Sequence, residues 1–566
     1  MLGLEAGQFD EEDRVALVVA QGRVDVSGWG PAADGEARAG DEGASSGAAR
    51  NPLLLQRLAV EKDGAFTFRG DMELSQGEAW RHAGRADLSD GRDKGFVTRV
   101  LDGNFAGGET ADTAGTIGFR VALGDGKAGE VPTVGIAGDH LEITGDATGS
   151  VIFDVVDANG LSKGAGERIV LMTVDGKVDG FAPALANGTI EAGGYSYRLA
   201  VDTAAAGSSV TAEGVALAGV SSDDDVTRYF LTSYWGDNVV DGPAVSPNLG
   251  SFIAFAEAQE MFDFSIHDHL GTRRYAHPLT GEIGETALWM RQTVSQTKAG
   301  ASSGQYETKS TVTTTQLGGD ILRLSDGGDG LWYAGVMAGF GDRNGKTSSS
   351  RTTAKGRADV DGWSAGVYGG WLQNAEGAKA SEPTGAYAEA WLQWVDLSGD
   401  LSSAGASKHV RADGWTASLE VGHGFEAFRF VSDDGASRGT VYFEPHAQVV
   451  WHGLRYDDFD MSGKVRIHGE DNTTVKLGAR TTVKFEGSQN ATPFLDLAWV
   501  HNTERYGATY GAVTDQQEGA KNRLEAAVGI DGRFTKRLSG YASFTLDKGS
   551  DGYSRREGAV GLRYVF

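Results

Sequence analysis

A few short clusters in this chain carry residue types that could do chemistry. "GASSG" occurs at 43–47 and again at 300–304, placing Ser45 and Ser302 in the pattern of a nucleophile elbow. That pattern works on a sharp strand-to-helix turn, and both copies lie in loops of small residues without such flanks. "NGKTS" (344–348) has the lysine and hydroxyl of a phosphate loop, but Phe340 stands where its first glycine is needed. "HDH" sets His267 and His269 two residues apart, on different faces of a helix, which suits two polar contacts better than a metal site. Arg69-Gly70-Asp71 is an integrin-recognition tripeptide, and "TFRGDMEL" around it also reads as a plain turn between strands. No catalytic triad, metal set or cofactor motif emerges, so no catalytic residue, metal or cofactor is expected.

The elements around these clusters are mostly strands. Gly is 84 of 566 residues and Pro only 10, a balance suited to strands and turns. There is no cysteine, which excludes disulfide frameworks and thiolate metal sites. A net charge of −27 argues against a nucleic-acid partner, which needs a basic stripe. No run of 18 apolar residues marks a transmembrane helix, while alternating membrane strands would average out as polar. The opening "MLGLEAGQFDEEDRVALVVAQG" lacks a basic n-region and an apolar h-region. If the rest is exported, it reads as a fragment or a misplaced start.

The organisation changes near residue 245. Before it, runs such as "TIGFRVALGDG" (116–126) and "HLEITGDATGSVIFDVVDANG" (140–160) alternate with Gly, Asp and Asn, as in an all-β domain or stacked solenoid rungs. Residues 31–50 and 221–247 read as linkers. "SPNLGSFIAFAEAQEMFDFSIHDHLGTRR" then reads as a helix of about 22 residues, roughly 33 Å long. Ser246 caps it, Pro247 opens it and Gly271 ends it. Its acids Glu257, Glu260, Asp263 and Asp268 speak against lipid exposure and leave a packed surface helix or one threaded through a wet channel.

From about 285, some twelve strands of roughly ten residues follow one another, separated by turns. In "FEPHAQVVWHG", Phe443, Pro445, Ala447, Val449 and Trp451 oppose Glu444, His446, Gln448 and His452, with Val450 the exception. In "FLDLAWV", Leu495, Leu497 and Trp499 oppose Asp496. A soluble sandwich also alternates, but ionisable residues at mid-strand would be penalised in its core. Nine of the 12 tryptophans fall after residue 280, several near strand ends as in aromatic girdles. The chain stops on "GAVGLRYVF", where Val560, Leu562, Tyr564 and Phe566 share one parity and Arg563 the other. These features point to a membrane barrel.

The segment "FSIHDHLGTRRYAHPLTGEIGETALWMR" resembles the linker helix and first strand of bacterial autotransporters (type V secretion). So do "TQLGGDIL" (315–322), "LWYAGVMAGFGDRN" (331–344), "DGWSAGVYGGW" (361–371), "DGWTASLEVGHGF" (413–425), "FEPHAQVVWHG" (443–453) and the terminal "GLRYVF". The likeness is to the AIDA-like and pertactin-like adhesin branch, and residues 140–160 are similar to the last rungs of a pertactin-like passenger. The resemblance implies an all-β chain: a passenger β-helix stem, then a linker α-helix inside a 12-stranded antiparallel transmembrane barrel. It implies a passenger remnant of irregular β over 1–115, a stem over 116–220, linker and pore-plugging helix over 221–274, and a translocator over 275–566.

By the same resemblance, Asn248, Phe252, Glu257, Glu260, Asp263 and Asp268 belong to the plug helix. Arg291, Glu389, Glu420, Glu444, Arg480 and Arg563 are polar residues of the interior that could hold it. Leu562, Tyr564 and Phe566 form a C-terminal assembly signal. The implied function is translocation and anchoring of the passenger at the bacterial surface for adhesion, with Arg69-Gly70-Asp71 a weak adhesion motif. The alternative is an enzymatic passenger, a protease or esterase, lying upstream. Implied partners are outer-membrane lipid, the barrel-assembly machinery, periplasmic chaperones and a host surface or matrix ligand. The Asn-Asn pair at which some relatives cut their own linker helix does not occur.

Overall fold

The computed structural model describes residues 2–5, 15–27, 53–68, 70–89, 96–123, 134–135, 138–158, 168–205, 225–234, 243–270, 287–375, 382–403, 406–431, 438–485, 491–535 and 537–566. The chain divides into two compact units, Met1–Val245 and Ser246–Phe566. Ser45 and Arg69 lie outside the described residues.

The first unit is a parallel β-solenoid. Its interior is built from columns of apolar residues stacked rung on rung. One column runs Leu53, Met72, Leu101, Ile143, Val174. A second runs Phe66, Ala86, Ile117, Phe153, Leu185, and a third Leu58, Trp80, Phe105, Ala147. All of these side chains are buried. Each rung can bury its inner face only against its neighbours, so stacking is what makes the unit stable. Parallel pairing already joins Val15–Ser27 to Leu53–Phe68, so the expectation of irregular β up to residue 115 is corrected. The reading of 221–247 as linker is corrected in part as well. Asp225–Thr232 is a strand that pairs antiparallel with Tyr195–Ala205 and Arg168–Val174. A reversed strand on the last parallel rung closes an edge that would otherwise template another chain.

The second unit is a closed antiparallel barrel of twelve strands. In chain order they are β1 (Ala287–Gly300), β2 (Tyr306–Ser325), β3 (Leu331–Ser349), β4 (Lys355–Leu372), β5 (Gly385–Ser403) and β6 (Ala406–Val431). Then come β7 (Arg438–Tyr456), β8 (Asn472–Phe485), β9 (Ala491–Asn502), β10 (Asn522–Arg533), β11 (Leu538–Gly549) and β12 (Ser554–Val565). β12 pairs with β1 and leaves no free edge. The strands run from 12 to 26 residues, longer than the expected ten.

Alternation is inverted relative to a soluble protein. Leu495, Leu497 and Trp499 are exposed on the outside, while Asp496 is 7 % exposed on the inside. Val450, the exception in its strand, turns inward and is buried. Two outward aromatic rows bound the apolar band: Trp332 beside Trp371 on one side, Phe340 across from Trp363 on the other. Eight residues separate Trp363 from Trp371, about 26 Å along the strand and about 20 Å along the barrel axis at the usual tilt. At one mouth, short strands Phe459–Asp460, Lys464–His468, Gly507–Tyr510 and Val513–Gln516 form a separate small sheet.

Candidate translocation pore and its inner segment

The barrel interior is occupied by the chain's own residues 246–270. They do not form one helix. α1 (Asn248–Glu257) passes into a 3-10 turn (Ala258–Phe262), Asp263 takes extended dihedrals, and α2 (Ile266–Leu270) follows. The expected continuous helix is thus corrected, and Asp263 lies in its break. Every residue of α1 is buried, although its sequence carries polar groups. Wall glycines make room for it. A Cβ on Gly399 would lie 2.8 Å from the Phe255 ring, and one on Gly339 would lie 2.9 Å from Phe262. Phe252 packs edge-on against Phe459 and Tyr510 of the small sheet, with ring centroids 5.6 Å away in each case.

The break is held by the wall. Unwinding frees buried backbone carbonyls, each of which would cost free energy if left unmet. Thr314 Oγ1 donates to the Met261 carbonyl at 3.2 Å, and Gln316 Nε2 to that of Phe262 at 2.8 Å. Gln393 Nε2 also donates to Phe262, at 3.2 Å, and Arg291 Nη1 donates to Asp263 at 2.9 Å. The Phe264 carbonyl accepts from Trp391 Nε1 at 3.2 Å and Gln448 Nε2 at 2.8 Å. Four successive carbonyls are therefore satisfied by side chains from β1, β2, β5 and β7.

Charge pairing runs along the same segment. Towards α1 its acids meet wall cations. Glu257 pairs with Arg343, and Glu260 accepts from Tyr506 (2.7 Å), Asn502 (3.0 Å) and Arg523 (3.3 Å). Asp263 contacts His452 Nε2 at 2.9 Å, and Asp268 lies 3.6 Å from Arg291. Around α2, which carries Asp268 as well, wall acids meet the histidines. His267 Nε2 contacts Glu444 at 2.6 Å and His269 Nε2 contacts Glu389 at 2.7 Å, while Glu420 accepts from the Ile266 amide at 3.0 Å. The Tyr333 hydroxyl also donates to Glu389. Arg563 Nη1 donates to the Leu270 carbonyl.

Of the interior residues named from the sequence, five thus contact the segment directly. Arg480 is seated over the Phe494 ring, 3.5 Å from its centroid. Asn248 is buried at the start of α1, its amide 3.3 Å from Ser246 Oγ. Ser302 donates to Asp515 rather than to any histidine. Asp71 accepts from the Val100 amide at 2.9 Å, inside the solenoid ladder. The donors Gln316, Gln393 and Trp391 are not singled out by the sequence, and Gln448, placed on the inner face by its parity, carries no mark of its partner. Among the described residues no group of His, Asp and Glu is placed to hold a metal ion.

Beside the break lies a polar cavity of about 160 Å³, lined by Asp263, Arg291, Lys476, Asp496, Arg523 and Glu525 among others. What the interior can do is hold an extended or helical peptide through its backbone and its charges.

A closed barrel with an apolar outer band, aromatic rims and a polar interior threaded by its own upstream chain is an outer-membrane translocator. Comparison with known proteins narrows this. Residues 288–545 match the family described as autotransporter beta-domain. The uncharacterized protein YdeU of Escherichia coli K12 is 29% identical over 503 residues, covering 84% of this chain and 99% of its own length. The autotransporter adhesin AIDA-I of Escherichia coli is 26% identical over 462 residues, covering 80% of this chain but 33% of AIDA-I. The crystal structure of the AIDA-I transport unit is 27% identical, with a TM-score of 0.50, covering 57% of this chain and 99% of that unit. The barrel thus matches the autotransporter beta-domain, the chain is similar to AIDA-I and its transport unit, and the barrel resides in the outer membrane.

Proposed function

We propose that the barrel exports the N-terminal unit, anchors it at the cell surface for adhesion, and retains residues 248–270 as a plug once export ends. The observation that supports this best is the run of four backbone carbonyls, Met261 to Phe264, each met by a wall donor. A pore that only conducted solutes would have no use for donors matched to an unwound peptide. The solenoid suits the role of passenger, since each rung formed outside buries its apolar face on the one before and favours outward movement. In this reading the mouth near Asn248 faces outward, and the mouth near Leu270 faces the periplasm. The assembly machinery and periplasmic chaperones would then meet the chain before closure, with Leu562, Tyr564 and Phe566 as the recognised strand.

Adhesion rests on likeness to AIDA-I, which this chain covers over about a third of its length. The tripeptide at 69–71 adds little, because the Asp71 carboxylate is engaged by Val100. Cells expressing the chain test the reading: the barrel should migrate heat-modifiably, and residues 1–245 should be cut by protease added outside. A heat-unmodifiable product, resistant until lysis, would overturn it. Binding of such cells to host surfaces, compared with cells bearing residues 246–566 alone, tests adhesion.

A further inference from the structure

The register of the first four strands lines up like charges on the outside of the barrel. Lys298 of β1 stands directly across from Lys309 of β2, Lys309 across from Lys346 of β3, and Lys346 across from Arg357 of β4. Directly opposed side chains lie about 5 Å apart, and like charges there are destabilising. This row occurs in a chain whose net charge is −27. Glu307 offsets its first half, 2.7 Å from Lys298 Nζ and 3.3 Å from Lys309 Nζ. Among the described residues, no carboxylate pairs with Lys346, Lys355 or Arg357.

Those three cations, with Ser348, Ser402 and Ser407, line a cleft of about 540 Å³ on the barrel rim. Immediately below it Asp359 stands across from Asp400, so the cleft is closed to anions on its membrane side. Lys346 is six residues beyond Phe340 of the aromatic row, and Arg357 six before Trp363. Six residues span about 20 Å of strand, about 15 Å along the barrel axis. The cleft thus stands above the hydrocarbon, at the height of sugar headgroups, and on the face turned towards lipid.

We propose that this cleft binds the phosphorylated sugar headgroup of an outer-leaflet glycolipid. Arg357 offers a planar fork to two phosphate oxygens, Lys346 and Lys355 supply point charges, and the hydroxyls of Ser402 and Ser407 donate to the remaining oxygens. Glycolipid bound there would relieve the repulsion across the row and fix the barrel's depth and rotation in the leaflet. The proposal rests on the reading that the Asn248 mouth faces outward, and the two are tested separately.

The purified full chain in detergent, checked by heat-modifiable migration, is titrated with vesicles of neutral phospholipid carrying a diphosphorylated glucosamine-disaccharide lipid. Binding should fall at least about tenfold in Lys346→Gln/Arg357→Gln and weaken with salt. The charge-matched Lys464→Gln/Arg466→Gln, on the small sheet, should bind within about twofold of the unaltered chain. Equal binding by the first variant, or of vesicles carrying the phosphate-free lipid, would overturn the proposal. Displacement by an equal concentration of inorganic phosphate would assign the cleft to free phosphate instead. Sidedness is read in intact cells: the chain has no cysteine, so Ser303→Cys on the same rim should react with a membrane-impermeant maleimide. Failure to label, with lipid binding retained, would overturn the outward reading and leave the cleft's chemistry standing.

Discussion

Arg563, three residues before the C-terminal Phe566, donates from Nη1 to the backbone carbonyl of Leu270 at 3.0 Å. The strand that closes the barrel therefore also holds the last turn of the inner segment, so closure and plugging share a residue. Arg563→Ala should leave the β12–β1 ladder intact, because that ladder is backbone pairing. It should expose the end of α2, costing about 1–3 kcal/mol locally for the lost bond and the orphaned carbonyl. Amide exchange at Ile266–Leu270 should speed up while exchange in β12 does not.

Phe566 lies beyond the last ladder pair, which joins Val565 to Ala287. It is 52% exposed and touches the Tyr564 ring edge-on at 4.9 Å. Deleting it removes no ladder bond, so the folded barrel should lose less than about 1 kcal/mol. The amount reaching the outer membrane should fall several-fold, if the residue acts as an address read before closure. Equal losses in insertion and in unfolding midpoint would make it a plain packing residue.

The barrel was legible because each strand faces lipid on one side and a wet interior on the other. Leu495, Leu497 and Trp499 against Asp496 display that period without any knowledge of partners. The break at Asp263 was not legible. "MFDFSI" keeps an apolar pattern through the unwound turn, and the donors that stabilise it come from four strands scattered over more than 150 residues. The solenoid rungs were hard to count for another reason. Leu53, Met72, Leu101, Ile143 and Val174 stack in one column, yet they are 19, 29, 42 and 31 residues apart. Loops of different length between rungs erase the fixed repeat that sequence comparison looks for.

Glu389, Glu420 and Glu444 occupy neighbouring strands and engage His269, the Ile266 amide and His267. Changing all three to Gln keeps side-chain size and some hydrogen bonding but removes the charge. Hydrogen bonds to charged groups contribute about 1.5–3 kcal/mol each, so the seat of α2 should weaken markedly. Ion conductance through the barrel in planar bilayers should rise, while strand content by circular dichroism stays unchanged. Unaltered conductance together with unaltered exchange at α2 would mean these acids do not hold the plug.

The solenoid carries its own acid sensitivity. His82 and His140 are buried, and burial lowers both imidazoles from 6.5 to about 4. His82 Nε2 is 3.0 Å from the Thr116 carbonyl, and His140 Nε2 is 2.8 Å from Thr173 Oγ1. Above pH 6.5 both rings are neutral folded or unfolded, and their packing stabilises the unit fully. As pH falls from 6.5 towards 4, the unfolded chain takes up protons that the folded one refuses, and stability declines. Each histidine accounts for about 3 kcal/mol across that window, and the loss levels off below it. Trp80 packs on the His82 ring at 4.8 Å and reports on it. The urea midpoint followed by tryptophan fluorescence should therefore drop between pH 6.5 and 4. His82→Phe with His140→Gln should flatten that drop while leaving the barrel's heat-modifiable migration as it was.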